Sequence, residues 1–241
     1  MGESKTKVMV KAGRVDSQSL EIFQDNVAAE VQFQVKTSKG HCFGVRCTPE
    51  NLEELTLGQL FFYGYIQDVC QAEKIEIFPK SGEIRVQIGE PQLILKAEAS
   101  GKEEREQKHL NHLEAAELFR KAEEIFLNPG PLFVQTGCAH GCALYCEGKV
   151  LCKREDIGRH NALDKIIGYG LKEGLDFKQM TVFTTGRVSG DYMEKIIKSG
   201  ISAVVSRAAV TDEAVRKART HKVALYGFVR KGAGNQYAPE I

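Results

Sequence analysis

The sequence predicts a mixed α/β protein built from a smaller β-rich α+β first domain and an α/β second domain. Three observations lead there. Over about the first 96 residues, apolar and polar side chains alternate with period two in short stretches, as half-buried strands do. From Pro131 onward, short unbroken apolar runs such as MTVFTTG and ISAVVSR stand between stretches of helical periodicity, the pattern of a sheet covered on both faces. Between them Glu98–Asn111, EASGKEEREQKHLN, is the most charged stretch of the chain. The expected division is 1–98 for the first domain, 99–130 for a charged linker and long helix, and 131–241 for the second domain.

In chain order, strands are expected at Val27–Lys36, His41–Thr48, Lys74–Pro79 and Glu83–Gly89, with turns at Ser38-Lys39-Gly40 and Lys80-Ser81-Gly82. A helix is expected to start at Thr48-Pro49-Glu50, to carry Leu52, Leu55, Leu57, Leu60 and Phe61, and to end at Gly64. A second carries Leu110, Leu113, Ala116, Leu118, Ala122, Ile125 and Phe126, and Asn128-Pro129-Gly130-Pro131 stops it. A strand pair is then read across LFVQTGCAHGCALYCEGKVLCKRE (132–155). Three helices, opening at Arg159, Ser189 and Thr211, alternate with strands in MTVFTTG, ISAVVSR and VALYGFVR.

Composition narrows the function classes. The 241 residues carry 33 basic and 32 acidic side chains, a formal charge of +1, with no long run of either sign to coat a nucleic acid or a membrane surface. No apolar run approaches the roughly 20 residues that span a bilayer. The opening MGESKTKVMVKAG has no apolar signal region, so a cytoplasmic location is expected, with no membrane and no nucleic-acid partner. The seven cysteines, an odd number, include a dense group at Cys138, Cys142, Cys146 and Cys152; in a reducing compartment they are expected as free thiols.

Three constellations could carry chemistry. In the first, Gly186-Arg187-Val188-Ser189-Gly190-Asp191 joins a strand to a helix, where glycine admits close backbone approach, helix amides face outward and arginine can fork onto phosphate. Ser206-Arg207 follows the neighbouring strand and Arg230 the last one, at the carboxyl edge where open α/β sheets bind ligands. A plain strand-to-helix turn capped by Ser189 explains the glycine and serine equally well. The second is GCAHGCALYC. Read as a strand, it places Cys138, His140 and Cys142 on one face, about 6–7 Å between neighbours, and an imidazole beside a thiol favours the nucleophilic thiolate. Cysteines also suit small apolar core positions. The third is the polar run Arg154–Lys165, including Asp156, Arg159 and His160, for which a solvated, salt-bridged helix start is the plain alternative.

REDIGRHNALDKIIG, FTTGRVSGDYMEKIIKSGI, SRAAVTDEAVRKA and YGFVRKGAGNQYAPEI, with QTGCAH and CTPENLEELTLGQLFFYGYI upstream, together resemble the formate dehydrogenase accessory protein family (FdhD). The resemblance covers nearly the whole chain. It implies a cytoplasmic sulfurtransferase and homodimer that takes persulfide sulfur from a cysteine desulfurase and passes it to the molybdenum bis(molybdopterin guanine dinucleotide) cofactor before that cofactor enters formate dehydrogenase. It also implies a second domain of cytidine-deaminase-like, three-layer fold. Carried over by position, the cofactor contacts fall on Gly186, Arg187, Ser206, Arg207, Phe228, Val229, Arg230, Lys231, Gly232 and Ala233.

One departure matters. The family's sulfurtransferases carry a C-x-x-C pair on the loop before the long helix, and Ala97–His109 here contains no cysteine. Where relatives read TGG-x-H-A-A, this chain has Cys138 at the last glycine and Cys142 at the second alanine, so the expected persulfide carrier is Cys138 or Cys142, flanked by His140, with no metal. The alternative is a molybdenum-cofactor chaperone that transfers no sulfur. A zinc deaminase is disfavoured because no glutamate follows His160 by two residues and P-C-x-x-C is absent.

Overall fold

The computed structural model describes residues 6–90 and 112–239, so the C-x-x-C position and the expected 98/99 boundary lie outside the described residues. The chain opens with a hairpin, β1 (Lys7–Val15) and β2 (Leu20–Ala28), paired over nine positions and joined to no third strand among the described residues. Periodicity did not announce it, since both faces carry exposed aliphatic residues. The expected strand Val27–Lys36 is accordingly two pieces, β2 ending at Ala28 and β3 (Val31–Thr37) beginning after a break.

Next come β4 (Cys42–Cys47), α1 (Leu52–Tyr63), β5 (Ala72–Phe78) and β6 (Glu83–Ile88). The four strands form one sheet in the order β4-β3-β6-β5, with β3 and β6 parallel. Phe33, Val35, Ile84 and Val86 on its inner face meet Leu52, Leu55, Leu57 and Leu60 of α1. The helix starts at Leu52, four residues later than expected, because Thr48 is engaged elsewhere: its amide donates to Asp156 Oδ2 (3.1 Å) and its hydroxyl accepts from the Ile157 amide (3.3 Å). Gly64, at φ 76°, ends α1 as expected.

The remainder runs α2 (His112–Leu127), α3 (Pro131–Thr136), β7 (His140–Cys146), β8 (Lys149–Asp156), α4 (Arg159–Lys172), β9 (Thr181–Thr184), α5 (Gly190–Ser199), β10 (Ala203–Ser206), α6 (Asp212–Thr220), β11 (Ala224–Arg230) and β12 (Ala233–Ala238). Six strands make a mixed sheet, β12-β11-β10-β9-β7-β8, whose central β9, β10 and β11 are parallel. Helix α2 packs on one face through Phe119, Ala122 and Phe126 against Phe183, Val205 and Tyr226. Ile166, Tyr192, Ile196 and Ala214, from α4, α5 and α6, cover the other. Among the described residues no helix is long and apolar enough to cross a membrane.

Two expectations are corrected. Leu132–Thr136 is helix, not strand: Pro131 occupies the first helical position, and the Glu155 carboxylate, brought in by β8, accepts from the amides of Leu132 (2.9 Å) and Phe133 (3.1 Å). The last strand expected was VALYGFVR, but β12 follows it as an antiparallel edge.

The two sheets are tied through α1 and α4, which cross on glycines. A Cβ on Gly58 would stand 2.1 Å from the Asp164 carbonyl oxygen, and one on Gly168 would stand 1.9 Å from that of Glu54. Backbone lies on both sides, so neither contact can relax by rotating a side chain. Gly58→Ala and Gly168→Ala are each expected to cost about 1–3 kcal/mol by overpacking, read as a lower urea midpoint with an unchanged slope; an unmoved midpoint would mean that the crossing is looser than described. Beside this crossing Lys195 Nζ meets both Asp164 oxygens, at 2.7 and 2.9 Å, in a buried pair. Burial, opposed by the ammonium, raises the Asp164 carboxyl to about 6.

Candidate functional site

At the carboxyl ends of β9, β10 and β11 the turns are stitched side by side. The Thr185 amide donates to the Gly141 carbonyl (3.0 Å), and the Gly141 amide donates to Thr185 Oγ1 (3.0 Å). The Arg207 amide reaches the Thr184 carbonyl (2.9 Å), and the Ser206 hydroxyl donates to the Gly186 carbonyl (2.8 Å) while accepting from the Ala208 amide (2.9 Å). Phe228 N–H donates to the Ala208 carbonyl (3.0 Å), and Arg230 Nε to the Arg207 carbonyl (3.2 Å). One continuous network therefore joins β7, β9, β10 and β11 along a single rim.

The structure brings Gly186, Arg187, Arg207, Phe228 and Arg230 to this rim, with the three arginines and Phe228 exposed. Ser206 and Val229 are fully buried, the first spent on the network above and the second part of the core under α2. Lys231 (φ 51°) and Gly232 (φ 70°) turn the β11–β12 hairpin into Ala233, the paired left-handed geometry of a tight hairpin turn. Phe228 itself sits at φ 54° within a register shift between Gly227 and Arg230. An aromatic residue held in that region is strained, and strain of this kind collects at functional sites. Bulges likewise re-aim side chains, here setting an aromatic ring outward beside Arg230.

The shared face expected of Cys138, His140 and Cys142 does not form, because β7 begins only at His140. Cys138 precedes it in the α3–β7 link and is exposed. Cys142 points into the core, 3% exposed, with Sγ 3.7 Å from the Tyr192 hydroxyl. Burial pushes its thiol up to about 12, which removes the thiolate needed for nucleophilic attack. His140 is half-buried, and burial followed by the charges of Arg159 and Arg187 lowers its pKa.

His160 opens α4, and its Nε2 lies 3.0 Å from Asp191 Oδ2 of α5, while Arg159 Nη2 reaches the Ser189 hydroxyl at 3.3 Å. Burial depresses the His160 pKa against the pull of Asp191. Both histidines are thus neutral in the folded state down to lower pH than in the unfolded chain, where they titrate near 6.5. The folded state then binds fewer protons below that value, so stability is retained above about 6.5 and lost as pH falls through it. Asp164, raised to about 6, works in the opposite sense at lower pH. The expected result is a melting temperature flat from pH 8 to 7 that declines toward pH 6, with the decline blunted in a His140→Gln/His160→Gln protein; a flat profile to pH 6 in the parent would contradict this.

The polar run Arg154–Lys165 is neither solvated nor simply capping. Lys165 Nζ lies 2.7 Å from Asp156 Oδ2 with both side chains fully buried. Asp156 also accepts from the amides of Thr48 and Gly158 and from Asn161 Nδ2 (2.9 Å). Asn161 Nδ2 in turn reaches the Arg46 carbonyl at 2.7 Å, and Arg154 makes a two-pronged pair with Glu54 of α1. The run ties the two sheets together.

Behind the rim lies a cavity of about 400 Å³, floored by Ile125, Phe126, Ala143 and Phe183, with Thr185 and Arg207 on the rim side and Ala139 in its wall. Residues 183 and 185, which bring it to the rim, were not singled out in the sequence. The threonine pair ending FTTG is the only signal there, and threonine at a strand end is common. Cys138, exposed, immediately precedes Ala139, which lines this cavity together with Arg207 of the rim.

The FdhD/NarQ family is matched over residues 28–240. The sulfur carrier protein FdhD of Shouchella clausii (strain KSM-K16) is 30% identical over 235 residues, covering 88% of each chain. That of Listeria innocua is 26% identical over 250 residues, 95% of each. A crystal structure described as a formate dehydrogenase accessory protein, from Desulfotalea psychrophila, superposes with a TM-score of 0.78 at 26% identity, covering 98% of each chain.

Proposed function

Because this chain belongs to the FdhD/NarQ family, we propose that it is a sulfur carrier in formate dehydrogenase maturation that accepts persulfide sulfur on Cys138 from a cytoplasmic cysteine desulfurase. The substrate at the rim is the molybdenum bis(molybdopterin guanine dinucleotide) cofactor. Arg187, Arg207 and Arg230 face its pyrophosphates and Phe228 stacks on a guanine. The observation that carries the reading is the exposed Cys138, next in sequence to Ala139 in the wall of a cavity that Arg207 of the rim also lines.

In the loading step the Cys138 thiolate attacks the outer sulfur of the donor's persulfide. A new S–S bond forms, the donor's own S–S bond breaks, and the donor cysteine leaves as thiolate. The Cys138 thiol is exposed, so its proton leaves to solvent.

The test of the rim is calorimetric titration of guanosine diphosphate into the parent chain and into Arg187→Ala, Arg207→Ala and Phe228→Ala. Each guanidinium loss is expected to remove charge-assisted bonds worth about 1.5–3 kcal/mol, roughly 10- to 150-fold in Kd. Loss of the ring removes about 1–3 kcal/mol of stacking. Binding that all three variants leave intact would move the cofactor site elsewhere.

A further inference from the structure

On the face of the six-stranded sheet away from the cavity, three basic side chains meet where two helices begin. Cys142 packs in the core under α4, α5 and α6, and His140, two residues earlier on β7, shares its face. Arg159 opens α4 and packs on the β9–α5 turn, so that a Cβ on Gly186 would stand 2.8 Å from the Arg159 Cβ. Arg187 follows that glycine, and both guanidinium charges act on His140. The cavity, with Arg207, lies on the other face, beside Phe126 of α2.

The chain does not balance this charge. Arg159 reaches the Ser189 hydroxyl with Nη2, at 3.3 Å, while its buried Nε has no partner. Among the described residues neither Arg159 nor Arg187 meets a carboxylate. Asp191 is taken by Ser189, the Tyr192 amide and His160, and Asp156 by Lys165. The helices add to the excess. No side chain caps α4, whose first turn holds no acid, and Ser189 precedes α5 without capping it. An arginine and a histidine therefore stand at the helix end where positive charge is least favourable. Unspent guanidinium donors beside uncapped amides are the groups that hold an anion.

We propose that Arg159, Arg187 and His140, with the first-turn amides of α4, form a binding site for a phosphate dianion. The two guanidinium groups supply the charge and forked donors, and a neutral imidazole still donates one N–H. Asp191 at the edge of the site opposes the anion and limits its affinity. A nucleotide's phosphate and the free ion present the same tetrahedral oxygens, and the experiment below separates them. The site needs neither Arg207, Arg230 and Phe228 nor sulfur on Cys138, so it goes beyond the reading of the rim and shares only Arg187 with it.

Calorimetric titration of inorganic phosphate into the full chain, at constant ionic strength and a pH of about 8 where both histidines are neutral, is expected to show one site per chain. Arg159→Gln is expected to weaken binding by about 10-fold or more. Asp191→Asn is expected to tighten it, because a like charge beside the anion is removed. Arg120→Gln, the same loss of charge on α2, is expected to leave it unchanged. Should Arg159→Gln not fold, judged by circular dichroism, Arg187→Gln gives the same reading. Guanosine diphosphate that competes with phosphate assigns the site to a nucleotide's phosphate, and guanosine diphosphate that binds alongside it assigns the free ion. Phosphate that binds where guanosine diphosphate does not would remove the rim reading and leave this one standing. Absent phosphate binding, equal binding by the parent and the folded arginine variant, an equal loss in Arg120→Gln, or weakening by Asp191→Asn overturns the proposal.

Discussion

Lys165→Ala is expected to destabilise the protein by about 3–5 kcal/mol, since it leaves the Asp156 carboxylate buried without its counter-ion. Both side chains are fully buried and only 2.7 Å apart. The ammonium also donates to the Glu155 carbonyl (3.0 Å) and lies 3.4 Å from that of Thr48. A loss of this size is a large part of the 5–15 kcal/mol that typically holds a domain folded. Asp156→Ala should be comparably harmful, because it strands the ammonium and frees the amides of Thr48 and Gly158. The double substitution should cost clearly less than the sum, since neither charge is then left alone. Urea titration reads all three, and a Lys165→Ala loss below about 1 kcal/mol would show that the pair is not the tie between the sheets.

The other large effect is all-or-none. After incubation with a cysteine desulfurase and cysteine, intact-protein and peptide mass spectrometry are expected to find the added sulfur on Cys138 and none after Cys138→Ser. Cys142→Ser should load as the parent does, because a thiol raised to about 12 is ionised in about one molecule in 10⁵ at pH 7. Cys47 and Cys152, raised by burial to about 12 as well, are unreactive for the same reason. Loading that persists in Cys138→Ser would remove the carrier role. A parent chain that never loads, yet binds guanosine diphosphate, would favour the cofactor chaperone.

Much of the fold was legible because periodicity reports burial. The apolar runs around Val182, Val204 and Leu225 became buried central strands, and the heptad-like spacing through Phe126 became α2. What escaped was decided by partners far away in sequence. Residues 132–136 look like strand until Glu155, on β8, caps them as a helix. Thr48 looks like a helix cap until Asp156 takes its amide. The rim arginines could be read from their place after consecutive strands. The separation of Cys138 from Cys142 could not, as it depends on β7 starting two residues after Cys138. The strain at Phe228 is a property of the β11–β12 pairing, and no single residue announces it.

The closest test of the link between carrier and cofactor site is protection from alkylation. Three of the described cysteines are exposed: Cys42, Cys70 and Cys138. Only the last is next in sequence to a residue lining the rim cavity, Ala139. With saturating guanosine diphosphate, iodoacetamide is expected to modify Cys138 at least several-fold more slowly while Cys42 and Cys70 react at unchanged rates. Equal Cys138 rates with and without the nucleotide, at a concentration where binding is shown by titration, would contradict the placement of sulfur carrier and cofactor in one site.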